Sequence, residues 1–174
     1  MATKKAAAKK PDATKASERP SARDALAVLK ADHKEVKALF EQYKTLVESE
    51  EVGEERQAVA QQICLLLTVH ATAEEEIFYP AARAAIDESD LLDEAEVEHA
   101  SAKDLIAQIE AMNPDDALYD AKVIVLGEYI DHHVKEEEDE MFPKCKKSDM
   151  DLVALGAAID ARKAELMDEM SAVA

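Results

Sequence analysis

Residues 70–80 read HATAEEEIFYP, and residues 133–143 read HVKEEEDEMFP. Both place an acid four residues after a histidine, crowd more acids behind it, and close on an aromatic residue and a proline. An upstream pair repeats in the same way. DHKEVKALFEQ (32–42) and EHASAKDLIAQ (98–108) share an acid, His, Lys, Leu, an apolar residue and Gln at matching positions. The chain is two copies of one unit, offset by 63 to 66 residues. Whatever it folds into must set four histidine-bearing segments in equivalent places.

The period of the apolar residues makes those segments helices. Leu26, Leu29, His33, Val36, Phe40, Tyr43 and Val47 recur at spacings of three and four, one face of a 3.6-residue repeat. Val59, Ile63, Leu66, His70, Glu74, Ile77 and Phe78 make a second stripe. Leu92, Ala95, Glu96, His99, Ala102, Leu105, Ile106 and Ile109 make a third, and Val123, Leu126, Ile130, His133, Glu137 and Met141 a fourth. Ser21, with Asp24 as a weak capping-box partner, is the expected start of the first helix. Gly53 breaks the first stripe, Ser89-Asp90 opens the third, and Asn113-Pro114-Asp115-Asp116 supplies a turn with an N-cap. Pro80 reads as a stop, and Pro143 with the Lys144–Lys147 stretch closes the fourth helix. A fifth, shorter helix over about 150–170 carries Leu152, Leu155, Ile159 and Leu166.

Four long helices with short links predict an all-α, up-down-up-down antiparallel four-helix bundle. The expected division is a disordered Lys/Ala/Pro-rich tail over 1–20, the bundle over 21–148, and a C-terminal helix over 149–174. That last helix is expected outside the bundle or against a protein partner, including a second copy.

Charge narrows the partners. The chain of 174 residues carries −18. Residues 1–23 hold seven basic and two acidic residues, leaving 14 basic and 37 acidic residues, a net of −23, on the rest. So acidic a body repels a phosphate backbone, which excludes nucleic acid as its partner. No stretch approaches the roughly 18 apolar residues of a membrane span, and no signal-peptide core follows the N-terminus. Cys64 and Cys145 form no CxxC pair and read as reduced, buried thiols of a cytoplasmic protein.

Helical geometry gives the repeat its chemistry. Residues four apart lie about 40° apart around the axis and about 6 Å apart along it. His70 with Glu74, and His133 with Glu137, therefore project together on their apolar stripes, and His33 and His99 hold the matching places on the other two helices. Folded as a bundle, the chain gathers four imidazoles and two carboxylates at one level of the core. An unpaired buried carboxylate costs several kcal/mol, against a total stability of roughly 5–15 kcal/mol. Metal ions remove that cost, and mixed N/O ligation suits iron, manganese or zinc. Two bridging glutamates and four terminal histidines describe a dinuclear site.

The order H…HxxxE…H…HxxxE, one element per helix with acid-rich HxxxEE…FP endings, resembles the hemerythrin-like (HHE cation-binding) domain over residues of about 24–145. The resemblance implies a non-haem centre of two iron ions, oxo- or hydroxo-bridged when oxidised, with Glu74 and Glu137 bridging. It implies that His33 and His70 serve one iron and His99 and His133 the other. It implies a protein that binds or senses oxygen, nitric oxide, peroxide or iron itself, or alternatively an enzyme that decomposes hydrogen peroxide. The oxygen-carrying hemerythrins have a second histidine one turn along their third helix, where this chain has Lys103. Water, Glu96 or a tyrosine is expected to fill that position. Glu75 and Glu138 are expected as outer partners of the ligands, and His132, off the inward stripe, as a surface residue. Ferritin-like bundles need Glu-x-x-His twice, and only Glu96–His99 fits.

Overall fold

The computed structural model describes residues 23–49 and 53–172. The tail expected over 1–20, and Ser21 with it, lie outside the described residues. Five helical rods and no strand occur among the described residues. Helix α1 runs Ala25–Glu48. Helix α2 comprises Gly53–Ala73, a π-helical turn Glu74–Phe78 and a final α-helical stretch Tyr79–Ala85. Helix α3 is Ser89–Glu110. Helix α4 comprises Tyr119–Glu136, a second π-helical turn Glu137–Met141 and Phe142–Lys147. Helix α5 is Leu152–Ser171.

Consecutive helices pack side by side, and α4 returns to α1, so the first four close into the expected antiparallel bundle. The fifth has the expected place and length: its 20 residues make it the shortest of the described rods, and Asp151 caps it by accepting from Ala154 N–H at 3.0 Å. It lies across α1 and α2. A Cβ on Gly156 would stand 2.4 Å from the Arg23 carbonyl oxygen, so only glycine lets α5 approach the start of α1 so closely.

Two helix starts differ from the sequence reading. Helix α1 is capped by Asp24 itself, whose Oδ1 accepts from Ala27 N–H at 2.8 Å. Such a cap contributes about 1 kcal/mol. Helix α4 starts at Tyr119, beyond the Asp115-Asp116 cap, because Asp116 turns back to accept from Asn113 N–H at 2.8 Å. Leu118 then takes a left-handed φ of 74° to join turn and helix.

Neither proline is a stop. Pro80 and Pro143 sit just beyond the two π turns, and helix continues through both to Ala85 and Lys147. In each turn the bond spans five residues, Tyr79 N–H to Glu74 O and Phe142 N–H to Glu137 O. The widened turn takes up the missing N–H and the ring clash that a proline brings to a regular helix.

The core is split. One apolar cluster, with Phe40, Tyr43, Ile63, Leu67, Ile106 and Leu126, fills one end of the bundle. Another, with Leu29, Phe78, Leu92, Met141, Phe142 and Ile159, fills the other. The polar layer between them is built by the repeated segments. No described helix is long and apolar enough to cross a membrane.

Candidate metal centre

The structure brings all six predicted side chains together. His33, His70, Glu74, His99, His133 and Glu137 are the buried polar residues among those described, none more than 7% exposed. Each comes from the apolar stripe of its helix, and each glutamate opens a π turn. They divide into two groups of mutually close ligand atoms: His33, His70, Glu74 and Glu137, and Glu74, His99 and His133.

Glu74 spans both groups. Its Oε1 lies 3.2 Å from His70 Nε2 and its Oε2 lies 3.4 Å from His99 Nε2. Glu137 Oε2 lies 3.3 Å from His33 Nε2 and 3.6 Å from His133 Nε2. These are not hydrogen bonds. His33 Nε2, His70 Nε2, both Glu74 oxygens and Glu137 Oε2 are buried with no hydrogen-bond partner among the described residues. The separations instead match donors around a shared ion: two ligand atoms about 2.1 Å from one cation, at an angle of about 100°, stand about 3.2 Å apart.

The far side of every imidazole sets the role of the near side. Each Nδ1 meets a carboxylate, which has no proton to give, so Nδ1 donates. His33 donates to Glu138 at 2.8 Å, His70 to Asp32 at 3.0 Å, His99 to Glu75 at 2.9 Å and His133 to Glu98 at 2.8 Å. This fixes one tautomer four times and turns four Nε2 lone pairs toward the centre. His99 and His133 face one another, Nε2 to Nε2, across 3.2 Å, a contact that a proton or a metal ion between them satisfies. The residues present therefore fit a bound metal pair.

The carboxylates follow the repeat. Asp32 and Glu98 precede equivalent histidines and each holds the histidine of the next helix; Glu75 and Glu138 follow equivalent glutamates and each holds the first histidine of the other unit, His99 and His33. Glu75 and Glu138 were expected in such a role; Asp32 and Glu98 were not, although the repeat displays an acid before His33 and His99. Three of these acids end in turn on a lysine. Lys103 reaches Glu75 at 2.7 Å, Lys30 lies 3.4 Å from Glu138, and Lys163, from α5, is bonded to Asp32.

The charges respond to this packing. Burial pushes the Glu74 carboxyl up, but His70 and His99 outweigh it and hold it well below the usual range. Burial alone would lower His70; Glu74 and Asp32 outweigh it and raise the imidazole to about 10. Asp32 is held low by His70 and Lys163 against its burial.

One inward side chain was missed. Tyr79 Oη donates to Glu137 Oε1 at 2.9 Å and stands 3.2 Å from His99 Nε2 and 3.5 Å from His133 Nε2. Of the candidates for the position left by Lys103, Glu96 is turned outward to Arg83 at 2.8 Å, and Tyr79 is the tyrosine beside the centre. Its repeat partner, Phe142, stacks on His33 with ring centroids 5.9 Å apart. Burial and the two central glutamates push the Tyr79 phenol well above its ordinary value. A small cavity of about 30 Å³ lies against the four imidazoles, its other wall apolar with Val36, Leu67, Ile106 and Ile130.

Known proteins resemble this chain in sequence and fold. The crystal structure of a hemerythrin HHE cation binding domain-containing protein from Mycobacterium kansasii superposes with a TM-score of 0.69 at 26% identity, covering 84% of this chain and 89% of that one. A protein named DNA nickase from Nostoc sp. strain PCC 7120 is 32% identical over 115 residues, 66% of this chain and 31% of that protein. The chain thus spans about a third of that curated relative's length. The family described as hemerythrin HHE cation binding domain matches residues 24–145, the span that holds all four histidine helices. The chain belongs to that family.

Proposed function

We propose that the chain is a non-haem di-iron protein that binds or senses a small oxidant or gas. In this reading His33 and His70 hold one iron, His99 and His133 the other, and Glu74 and Glu137 bridge. The observation that carries it is Glu74, whose two bare oxygens face histidines of opposite halves. A single-ion site would leave one of those oxygens buried without a partner. Tyr79 supplies a further oxygen to the His99–His133 half, and an oxygen-rich, imidazole-bearing set is one that iron favours.

The ligand follows from the space. A cavity of about 30 Å³ admits a water, a diatomic or a peroxide, and its apolar wall favours a neutral gas. Iron supplies the binding and redox chemistry when bound. The protein's part is to fix four imidazole lone pairs, to exclude bulk water and to hold a proton on Tyr79 Oη beside Glu137. That proton favours a second reading, an enzyme converting two hydrogen peroxides to two waters and dioxygen. The nicking activity in the relative's name is not part of this proposal, since a body of net charge −23 opposes approach of a phosphate backbone.

The test is anaerobic loading with ferrous iron, followed by metal analysis and optical spectra with oxygen, nitric oxide and peroxide. Two irons per chain are expected, and Glu74→Ala or Glu137→Ala should lower that content and weaken bridged-iron absorption. A stable gas adduct supports binding or sensing, and steady oxygen evolution from peroxide supports the enzyme. Well under two irons, or variants with unchanged spectra, would overturn the di-iron assignment.

A further inference from the structure

We propose that Glu98, His132 and Glu136 form a second, outer cation site in the groove between α3 and α4. The argument starts from the four carboxylates that hold the imidazoles. Glu75, Glu138 and Asp32 each end on a lysine ammonium, from Lys103, Lys30 and Lys163. Glu98 does not. Its Oε1 faces His132 Nε2 at 3.5 Å, and the same nitrogen faces Glu136 Oε1 at 3.3 Å. Where three arms carry a fixed positive charge, the fourth carries an imidazole and a second carboxylate.

These three residues have the form of a ligand set. His132 and Glu136 lie four apart on α4, the chelating spacing that His133 and Glu137 use one position further on. Glu98 joins them from α3, and one ligand atom from each lies within 4.8 Å of the others. Glu98 is also held in place, because its Oε2 accepts from His133 Nδ1 at 2.8 Å. The groove has a volume of about 420 Å³ and adds Asp93 and Glu94 at its rim. Two carboxylates and one imidazole complement a divalent cation, and the nitrogen favours manganese, ferrous iron or zinc over calcium or magnesium. The ion takes the place that lysine fills in the other arms, and Glu98 links it to the His133 imidazole. The site stands whichever metal the buried layer holds.

The experiment uses the full chain, loaded with two equivalents of iron and desalted, and titrated with Mn²⁺ while the electron paramagnetic resonance of free Mn²⁺ is followed. One Mn²⁺ per chain is expected to bind, with Kd below about 100 μM. His132→Ala and Glu136→Gln should each weaken it about tenfold or more, as loss of one of three ligands implies. His132 is 65% exposed at its side chain, so the fold, read by circular dichroism, and the retained iron should not change. No loss of the free Mn²⁺ signal at about 1 mM protein would overturn the proposal, as would binding that His132→Ala leaves intact. Poor iron retention together with a clear Mn²⁺ difference between wild type and His132→Ala would count against the buried di-iron reading and support the outer site.

Discussion

Tyr79 Oη donates to Glu137 Oε1 across 2.9 Å, joining the end of α2 to the π turn of α4. The repeat puts Phe142 in the matching place, so the two halves of an otherwise symmetric centre differ by one hydroxyl. The half without it offers an ion only imidazoles and carboxylates; the other half adds a phenol.

Tyr79→Phe should therefore keep both ions and change one. If the phenol binds ferric iron, the oxidised protein absorbs in the visible region, and the variant loses that band with its iron content intact. Optical spectra and metal analysis on the same sample check this. An unchanged spectrum would mean that Tyr79 only supports Glu137.

The outer carboxylates set ring orientation and tautomer. Asp32→Asn and Glu75→Gln are expected to weaken metal binding in the buried layer about 10- to 100-fold each, without touching a proposed ligand. Competition with a chelator of known affinity measures the loss.

Gly156 ties this effect to α5. A Cβ there would stand 2.4 Å from the Arg23 carbonyl and 2.8 Å from Ala25 N. Gly156→Ala should push α5 off α1 and destabilise the fold by about 1–3 kcal/mol, as overpacking does. It should also loosen Lys163 from Asp32 and so weaken metal binding. Thermal melts and chelator competition together test both halves of the prediction.

Protons and metal compete for the same lone pairs. The metal-free protein holds the His70 imidazole at about 10, against an ordinary value near 6.5. A raised imidazole stabilises the metal-free fold fully below about 6.5, and the contribution is lost as pH rises through about 10. The metal-free Tm should fall over that window while the loaded Tm does not. Loading at neutral pH should release protons, and affinity should rise with pH. Melts across pH and calorimetry in two buffers of different ionisation enthalpy read these effects.

Much of the centre was legible in the sequence because its parts obey a helical period. His33, His70, Glu74, His99, His133 and Glu137 lie on apolar stripes, and an inward stripe stays inward in a bundle. Tyr79 was illegible for a definite reason. It stands nine residues after His70, and on a regular helix nine steps of about 100° put it on the opposite face. The π turn adds a residue to the circuit and brings it back inside, where it is 2% exposed. The outer carboxylates were hidden differently. Asp32 and Glu98 sit one residue off the inward stripe and reach across to a neighbouring helix, which a single-helix projection does not show. Lys163 depends on the docking of α5, and no period in the sequence encodes which rods α5 crosses. The start of α4 was misread because Asp116 has two uses, and closing the turn on Asn113 prevailed over capping.

The most direct test is anomalous diffraction at the iron edge from crystals of the loaded protein. Two peaks are expected in the buried layer, one beside His33 and His70 and one beside His99 and His133, each about 2.1 Å from imidazole Nε2 atoms, with Glu74 between them. A single peak, or none between those four rings, would contradict the account.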